Sequence, residues 1–258
     1  MRARRLTSRG EIQARLEPDR VWAAYALGDL EAGLFEQCEW YAAADALALV
    51  FRGLSFVPLF TMGEAAGIEA LLRSLVTLPR FYLNQRPEHL AAVRKFYRIT
   101  ELRPMWRMAL DRFHPAGGEV VGLGLDRLVE IQALYAFGGG DAFAPFQVAT
   151  GYFYGVEREG RLASVAGVHL ASRTYRVGAV GNVFTHPAQR GRGFAAAATS
   201  AVVAALLAEG IDTIVLNVEQ GNGGAVRIYE RLGFAQYCEF LEGWAERRRA
   251  PARDHGAA

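Results

Sequence analysis

Residues 186–198 read HPAQRGRGFAAAA. Two arginines alternate with two glycines, and an alanine-rich run follows at once. Glycine costs about 1 kcal/mol against alanine inside a helix, so the pair belongs before a first turn. The spacing predicts a helix from Phe194 to Glu209, with Gly210 placed to end it. Ahead of that helix, glycine opens backbone conformations closed to other residues and lets another group approach closely. A helix start also exposes unpaired N–H groups carrying roughly half a positive charge. The stretch therefore reads as a cradle for a phosphate or pyrophosphate, with Arg190 and Arg192 adding charge-assisted contacts.

The flanks set this cradle in a mixed sheet. Downstream, IDTIVLNVE (211–219) reads as a buried strand. Asn222 is placed to cap a helix that reaches Leu232 and stops at Gly233, and FAQYCEFL (234–241) is a closing strand. Upstream lie three β-runs, YFYGVERE (152–159), LASVAGVHLAS (162–172) and RVGAVGNVFT (176–185). Glu-Gly-Arg joins the first two as an antiparallel hairpin. Before them, Val120–Leu125 is strand-like, Asp126 is a candidate N-cap for a helix through Ala136, and FGGGDAFAPF (137–146) is a loop. The order is β-α-β-β-β-α-β-α-β.

Other readings of the loop fit its context less well. An RGG-type RNA-binding segment repeats in low-complexity sequence, whereas this unit occurs once and leads into a helix. GRGFAA fits the G-x-G-x-x-A of a dinucleotide fold, and Glu219 ends the next strand. That fold places its glycines directly after the first strand of a parallel sheet; here THPAQR and hairpin-linked strands precede them.

The first half carries a fainter copy. LNQRPEHLAAVRKFYR from Leu83 and LNVEQGNGGAVRIYER from Leu216 share Leu-Asn, Ala-Val-Arg and the final Arg in register. Phe96 faces Tyr229, and His89 faces Asn222. A β-run leading into a helix and then another β-run on both sides indicates an internal duplication. PAGG (115–118) reads as the linker, giving expected domains at 1–115 and 119–245 and a solvated, disordered tail at 246–258.

Composition bounds the function. With 52% hydrophobic and 22% charged residues, the 258-residue chain has the balance of a soluble protein with a sizeable core. A net charge of +2 is too small for a polyanion-binding surface, so no nucleic acid partner is expected. The basic N-terminus lacks the apolar core of a signal peptide, and the longest apolar run (194–208) falls short of the ~20 residues that span a bilayer. A cytoplasmic protein without a membrane partner is expected. Cys38 and Cys238 stand far apart with no His-Cys cluster, which gives no metal site and fits a reducing compartment.

At these residues the sequence resembles the GNAT superfamily of acyl-CoA-dependent N-acetyltransferases. RGRGFA matches the family's Arg/Gln-x-x-Gly-x-Gly/Ala, with Arg190, Gly193 and Ala195 at the pattern positions. NGGAVRIYERLGF matches its second signature through Asn222, Ala225, Tyr229, Gly233 and Phe234. The resemblance spans about the last 140 residues and extends faintly over the first half, the look of two such domains in tandem. It implies acetyl-CoA as cosubstrate. The backbone of Arg190, Gly191, Arg192, Gly193, Phe194 and Ala195 would hold its pyrophosphate, and Val183, Phe184 and Thr185 would pair with its pantetheine arm. Tyr229 aligns with the residue that protonates the departing thiolate. Asn222 and Tyr229 lie seven apart and share one helix face, and a phenol is a reasonable general acid.

The general base is less defined: Glu219 at its strand end comes first, then His169, then water alone. His186 precedes a proline and shapes the loop. The acceptor is expected to be a primary amine on a small molecule or peptide, with Phe137, Phe143, Phe146, Tyr152 and Tyr154 offering an aromatic surround. In the first half only MGEAAG stands between Thr61 and the next helix, with acidic Glu64 where an anion would bind and Phe96 where Tyr229 carries a hydroxyl. That half is expected to keep the fold without the cofactor, in a monomer built as an internal pseudo-dimer or in a homodimer. The alternatives are an acyl-CoA-binding or sensing module without turnover and, further off, a nicotinamide enzyme.

Overall fold

A computed structural model describes residues 3–74, 78–140 and 142–248. The chain runs β1 (Arg4–Leu6), α1 (Arg9–Leu16), α2 (Ala24–Gly28), β2 (Cys38–Ala43), β3 (Ala46–Phe51), β4 (Pro58–Met62), α3 (Ala65–Ser74), β5 (Arg80–Gln85), α4 (Leu90–Phe96) and β6 (Tyr97–Leu110). It continues through β7 (Val121–Gly122), α5 (Leu128–Tyr135), α6 (Pro145–Val148), β8 (Tyr154–Arg158), β9 (Arg161–Ser172), β10 (Val177–Thr185), α7 (Phe194–Ala208), β11 (Thr213–Glu219), α8 (Gly223–Leu232) and β12 (Phe234–Arg247). The β-α-β-β-β-α-β-α-β order is present in the second half, as the mixed fold class requires.

Two compact units form: residues 1–7, 39–103 and 241–258, and residues 8–38 and 104–240. The stretch at 115–118 lies inside the second unit, in irregular chain that Ala116 ties to α7 by donating its N–H to Ser200 Oγ at 3.0 Å. Residues 8–38 also belong to the second unit, because the apolar face of α2 packs on β9 and β10, with Gly28 directly against Leu170. Of the segment 246–258, Glu246 and Arg247 end β12, and residues 249–258 lie outside the described residues.

In the first unit the strands run β1-β2-β3-β4-β5-β12. β3 and β4 are antiparallel, β4 and β5 parallel, and Leu241–Glu246 of β12 pair antiparallel with Gln85–Arg80 of β5. Its core gathers Leu59, Phe81 and Leu83 from the sheet with Ile68, Leu71 and Val93 from α3 and α4.

In the second unit the order is β6-β11-β10-β9-β8-β7. β9 and β10 are antiparallel, β10 and β11 parallel, and Met105–Ala109 of β6 pair antiparallel with Glu219–Val215 of β11. Val165, Val168, Val180 and Leu216 of this sheet pack on Ile131 of α5 and on Val202 and Leu206 of α7. The two sheets match strand for strand, β1-β2-β3-β4-β5-β12 against β7-β8-β9-β10-β11-β6, and each unit finishes its sheet with a strand contributed by the other half of the sequence. β8 and β9 form the expected hairpin, turned at Glu159 and Gly160 with φ of 54° and 72°, the pair of positive values a tight two-residue turn demands.

One local expectation is corrected. Asp126 does not cap a helix: Leu125–Arg127 form a single 3-10 turn, and α5 starts only at Leu128 with no side-chain cap at Arg127. Accordingly the strand before it shrinks to Val121–Gly122.

Candidate active site

The quoted stretch folds as its composition requires. β10 ends at Thr185, a 3-10 turn covers Pro187–Gln189, and His186 Nδ1 accepts the N–H of Ala188 at 3.2 Å, so His186 shapes the turn. Gly191 and Gly193 take φ of +78° and +80° with open space around each. Conformation, not crowding, is therefore what selects glycine here. Gly193 is the N-cap of α7 and offers no side chain to its first turn, so the N–H groups of Phe194, Ala195 and Ala196 face outward unclaimed by a cap.

Three arginines surround this helix start. Arg190 is exposed, donates Nε–H to Thr185 O at 3.3 Å and sits 5.8 Å from the Phe184 ring; Arg192 is exposed. Arg158, at the end of β8, lies 4.7 Å over the ring of Phe194. Sequence reasoning missed Arg158, because only the β8–β9 hairpin brings it to α7.

Beside the cradle the sheet opens. β10 and β11 pair from Val177↔Thr213 to Val180↔Leu216 and no further. Beyond that point Asn217–Glu219 stay with β6, while Phe184 and Thr185 stay with Val165 and Ser164 of β9. Ser164 and Thr185 hydroxyls share a 2.8 Å hydrogen bond. Gly181, Asn182, Val183, Phe184 and Thr185 thus border one side of a wedge. An extended polyamide can enter such a gap as an added strand would.

Tyr229 is 8% exposed on α8, in the same core as Val180, Phe184, Leu216 and Val218, with its ring 6.2 Å from Phe234. Burial pushes its phenol up to about 12, so it stays protonated across the neutral range. Asn222 caps α8 as expected, its Oδ1 accepting the N–H of Ala225 at 3.1 Å, and Gly233 closes the helix in the left-handed conformation. Glu219 is exposed at the end of β11, and its carbonyl accepts the N–H of Asn222 at 2.9 Å.

His169 sits on β9 with its imidazole over Gly181, where a Cβ would collide with it, and its ring is 5.9 Å from Tyr25 of α2. Burial, helped by the cation of Arg107, pushes its pKa down to about 4. Arg107 is 2% exposed on β6, opposite Asn217, with its guanidinium 4.6 Å from Tyr25 and 5.2 Å from Trp22. Arg107 carried a readable signal, a charge inside the apolar run MWRMAL. Tyr25 carried none, because residues 8–38 join this unit only in the folded chain. Of the aromatic surround, Phe143 and Tyr152 pack in or on the core, while Phe137 and Phe146 are exposed. Among the described residues no group of three His, Cys, Asp or Glu could hold a metal ion. Cys38 and Cys238 are unbridged.

Residues 127–234 match the acetyltransferase (GNAT) family model. This region is a GNAT acetyltransferase domain. The match takes in the cradle, the wedge and Tyr229, and starts beyond the whole first unit except for β12. A mycothiol acetyltransferase of Thermobispora bispora is 40% identical over 63 residues, which cover 23% of this chain and 21% of that protein. Another from Salinispora tropica is 33% identical over 96 residues, covering 36% and 31%. The chain thus matches less than a third of the length of either relative. In fold, the GCN5-related N-acetyltransferase of Sphaerobacter thermophilus superposes with a TM-score of 0.61 at 19% identity over 96% of both chains. The GNAT-like architecture therefore extends over nearly the whole molecule. No helix among the described residues is long and apolar enough to cross a membrane.

Proposed function

We propose that the protein transfers acetyl from acetyl-CoA to a primary amine, in the cytoplasm and without a metal. The observation that carries this is the uncapped start of α7 between Gly191, Gly193, Arg190 and Arg192, directly beside the opening of β10 from β11. A pyrophosphate fits the first, and the amide-rich pantetheine arm fits the second along Val183, Phe184 and Thr185.

In the reaction the amine nitrogen attacks the thioester carbon, the C–S bond breaks, and the CoA sulfur leaves with its electron pair. Tyr229 delivers its proton to that sulfur. The new ammonium loses its proton to Glu219 or to water. Burial pushes the pKa of His169 down to about 4, which makes it a weaker proton acceptor than an ordinary imidazole. The name shared by the two curated relatives makes mycothiol-related amines the first acceptors to screen, with other small-molecule and peptide amines next.

The first unit is read as a duplicated copy that lost the cofactor site. Calorimetric titration with acetyl-CoA tests both statements. One site per chain is the expected stoichiometry, two would assign a live site to the first unit, and none would sink the enzyme reading.

A further inference from the structure

Leu216 and Val218 of β11 point into the core that holds Tyr229, so Asn217 between them points to the other face of the sheet. Arg107 of β6 lies directly opposite Asn217 in the antiparallel ladder and shares that face. This is the face that α2 covers. The Arg107 guanidinium lies 4.6 Å from the Tyr25 ring of α2, and the His169 ring of β9 is 5.9 Å from the same ring. His169 in turn stands over Gly181 of β10. Pairing of β10 with β11 has ended one step earlier, at Val180↔Leu216. Arg107, Asn217, His169 and Tyr25 therefore meet beside the wedge, on the side away from Tyr229.

The cation is held among aromatic rings. Arg107 is 2% exposed, and the rings of Tyr25, Trp22 and Phe240 lie 4.6, 5.2 and 5.6 Å from its guanidinium. Trp22 and Phe240 are fully buried and pack on each other at 5.5 Å. These rings turn their faces to the charge and keep water from it, so its positive potential is little screened. Tyr25, His169 and Asn217 are half-buried and form the rim. Burial and the guanidinium together push the pKa of His169 down to about 4. At neutral pH that ring adds no second charge and presents one donor and one acceptor nitrogen.

The fold itself does not require a cation here. In the first unit Asn84 is the counterpart of Asn217, and the residue opposite it on β12 is Glu242, which accepts the Tyr82 hydroxyl at 3.0 Å. The copy without the arginine–glycine loop thus carries the opposite charge at the matching place. A guanidinium in a water-poor site attracts an anion far more strongly than one in solvent. Its planar fork also matches both oxygens of a carboxylate.

We infer that Arg107 determines acceptor specificity: with Asn217 it binds a carboxylate carried by the acceptor, so the acceptor class is an amine that also bears a carboxylate, as amino acids do. This rests on the reading of the cradle and wedge as an acetyl-CoA site. A carboxylate anchored on the α2 face leaves the amine at the wedge, facing the thioester, while Tyr229 stands on the opposite side, toward the leaving sulfur. Holding the amine in that orientation lowers the entropic part of the barrier.

The test compares the common amino acids with their primary carboxamides as acceptors for the full-length protein at saturating acetyl-CoA. The amide keeps the amine and loses the anion. Thiol release gives kcat/KM, and calorimetry gives the affinity for unacylated CoA. At least one acid is expected to exceed its amide by about tenfold to a hundredfold, the scale of a hydrogen bond to a charged group. Intrinsic reactivity runs the other way, because without the neighbouring carboxylate the amide's amine is less protonated. Arg107→Gln is expected to bring the ratio to within about threefold of unity. Arg107→Lys should retain part of it, since the charge stays and the fork is lost. CoA affinity stays within about twofold in both variants. A wild type that acetylates amides as well as acids overturns the inference without any variant. So does a ratio that survives Arg107→Gln, or CoA binding with no acid acetylated. A wild type that binds neither CoA nor acetyl-CoA breaks the underlying functional reading instead.

Discussion

Gly63–Glu64 in the first unit and HPAQRGRG (186–193) in the second occupy the same place, between the fourth strand of each repeat and the helix that follows. In the second unit that place is open: two left-handed glycines, an uncapped helix start, and strands that part after Val180↔Leu216. In the first unit it is shut. Pairing there continues past the matching Leu59↔Leu83 to Phe60↔Asn84. The Thr61 hydroxyl then bonds the Gln85 side chain and lies 2.9 Å from His89 Nδ1, and His89 Nε2 is 2.8 Å from Gly63 O. All three side chains are buried. The strand end that borders a wedge in one copy closes on a satisfied polar node in the other. On the reading proposed above, the first unit would lack a ligand site because its own hydrogen bonds fill that place.

The largest effect should come from the chemistry of the open copy. Tyr229→Phe is expected to lower kcat about a hundredfold or more, the usual scale of general acid catalysis, while acetyl-CoA affinity stays within about threefold. Steady-state rates with any accepted amine, beside calorimetry, check this; binding lost together with rate would remove the tyrosine from its assigned role.

Next comes the cradle. Arg190→Ala with Arg192→Ala should weaken acetyl-CoA by about tenfold to a hundredfold, since hydrogen bonds to charged groups contribute about 1.5–3 kcal/mol each and these are exposed. Unchanged affinity would leave the two copies without their main functional contrast.

The closed copy should answer in stability and not in binding. His89→Ala removes a node of the buried network and should cost about 1–3 kcal/mol, seen as a lowered Tm with acetyl-CoA affinity intact. The same residue gives a pH signature. Burial lowers the pKa of His89, as it lowers that of His169 to about 4. The unfolded chain then binds protons at these sites near its ordinary value of about 6.5 while the folded chain does not. Stability should be full above that pH and fall as pH drops toward 4. Urea midpoints at neutral and acidic pH measure the slope, which His89→Ala should reduce; a slope unchanged by the substitution would place the titration elsewhere.

Smallest is Arg158→Ala. Losing an exposed cation beside Phe194 should weaken acetyl-CoA by less than about threefold, as exposed ion contacts contribute about 0–1 kcal/mol. A tenfold loss would make the hairpin a principal part of the cradle.

Much of the second unit was legible because its signals are local. Glycines that need positive φ, an asparagine that caps α8, and strand runs bounded by turns announce themselves within a few residues. Asp126 misled because a cap-like residue can equally sit inside a 3-10 turn. What decides between those is the packing of Leu128–Tyr135 on the core, which the residue types do not record.

Sequence by itself determined the glycine pair before α7, the repeated strand–helix–strand and the helix that carries Tyr229, each being short-range chemistry or matched spacing. Only the tertiary structure decided the rest. Residues 8–38 joined the second unit, Arg158 reached α7, and Tyr135 and Gln147 closed on Asn182 across 47 and 35 residues of chain. Such pairings depend on strand register and on which surfaces must be buried together. These are properties of the whole folded chain, and no local run of residues encodes them.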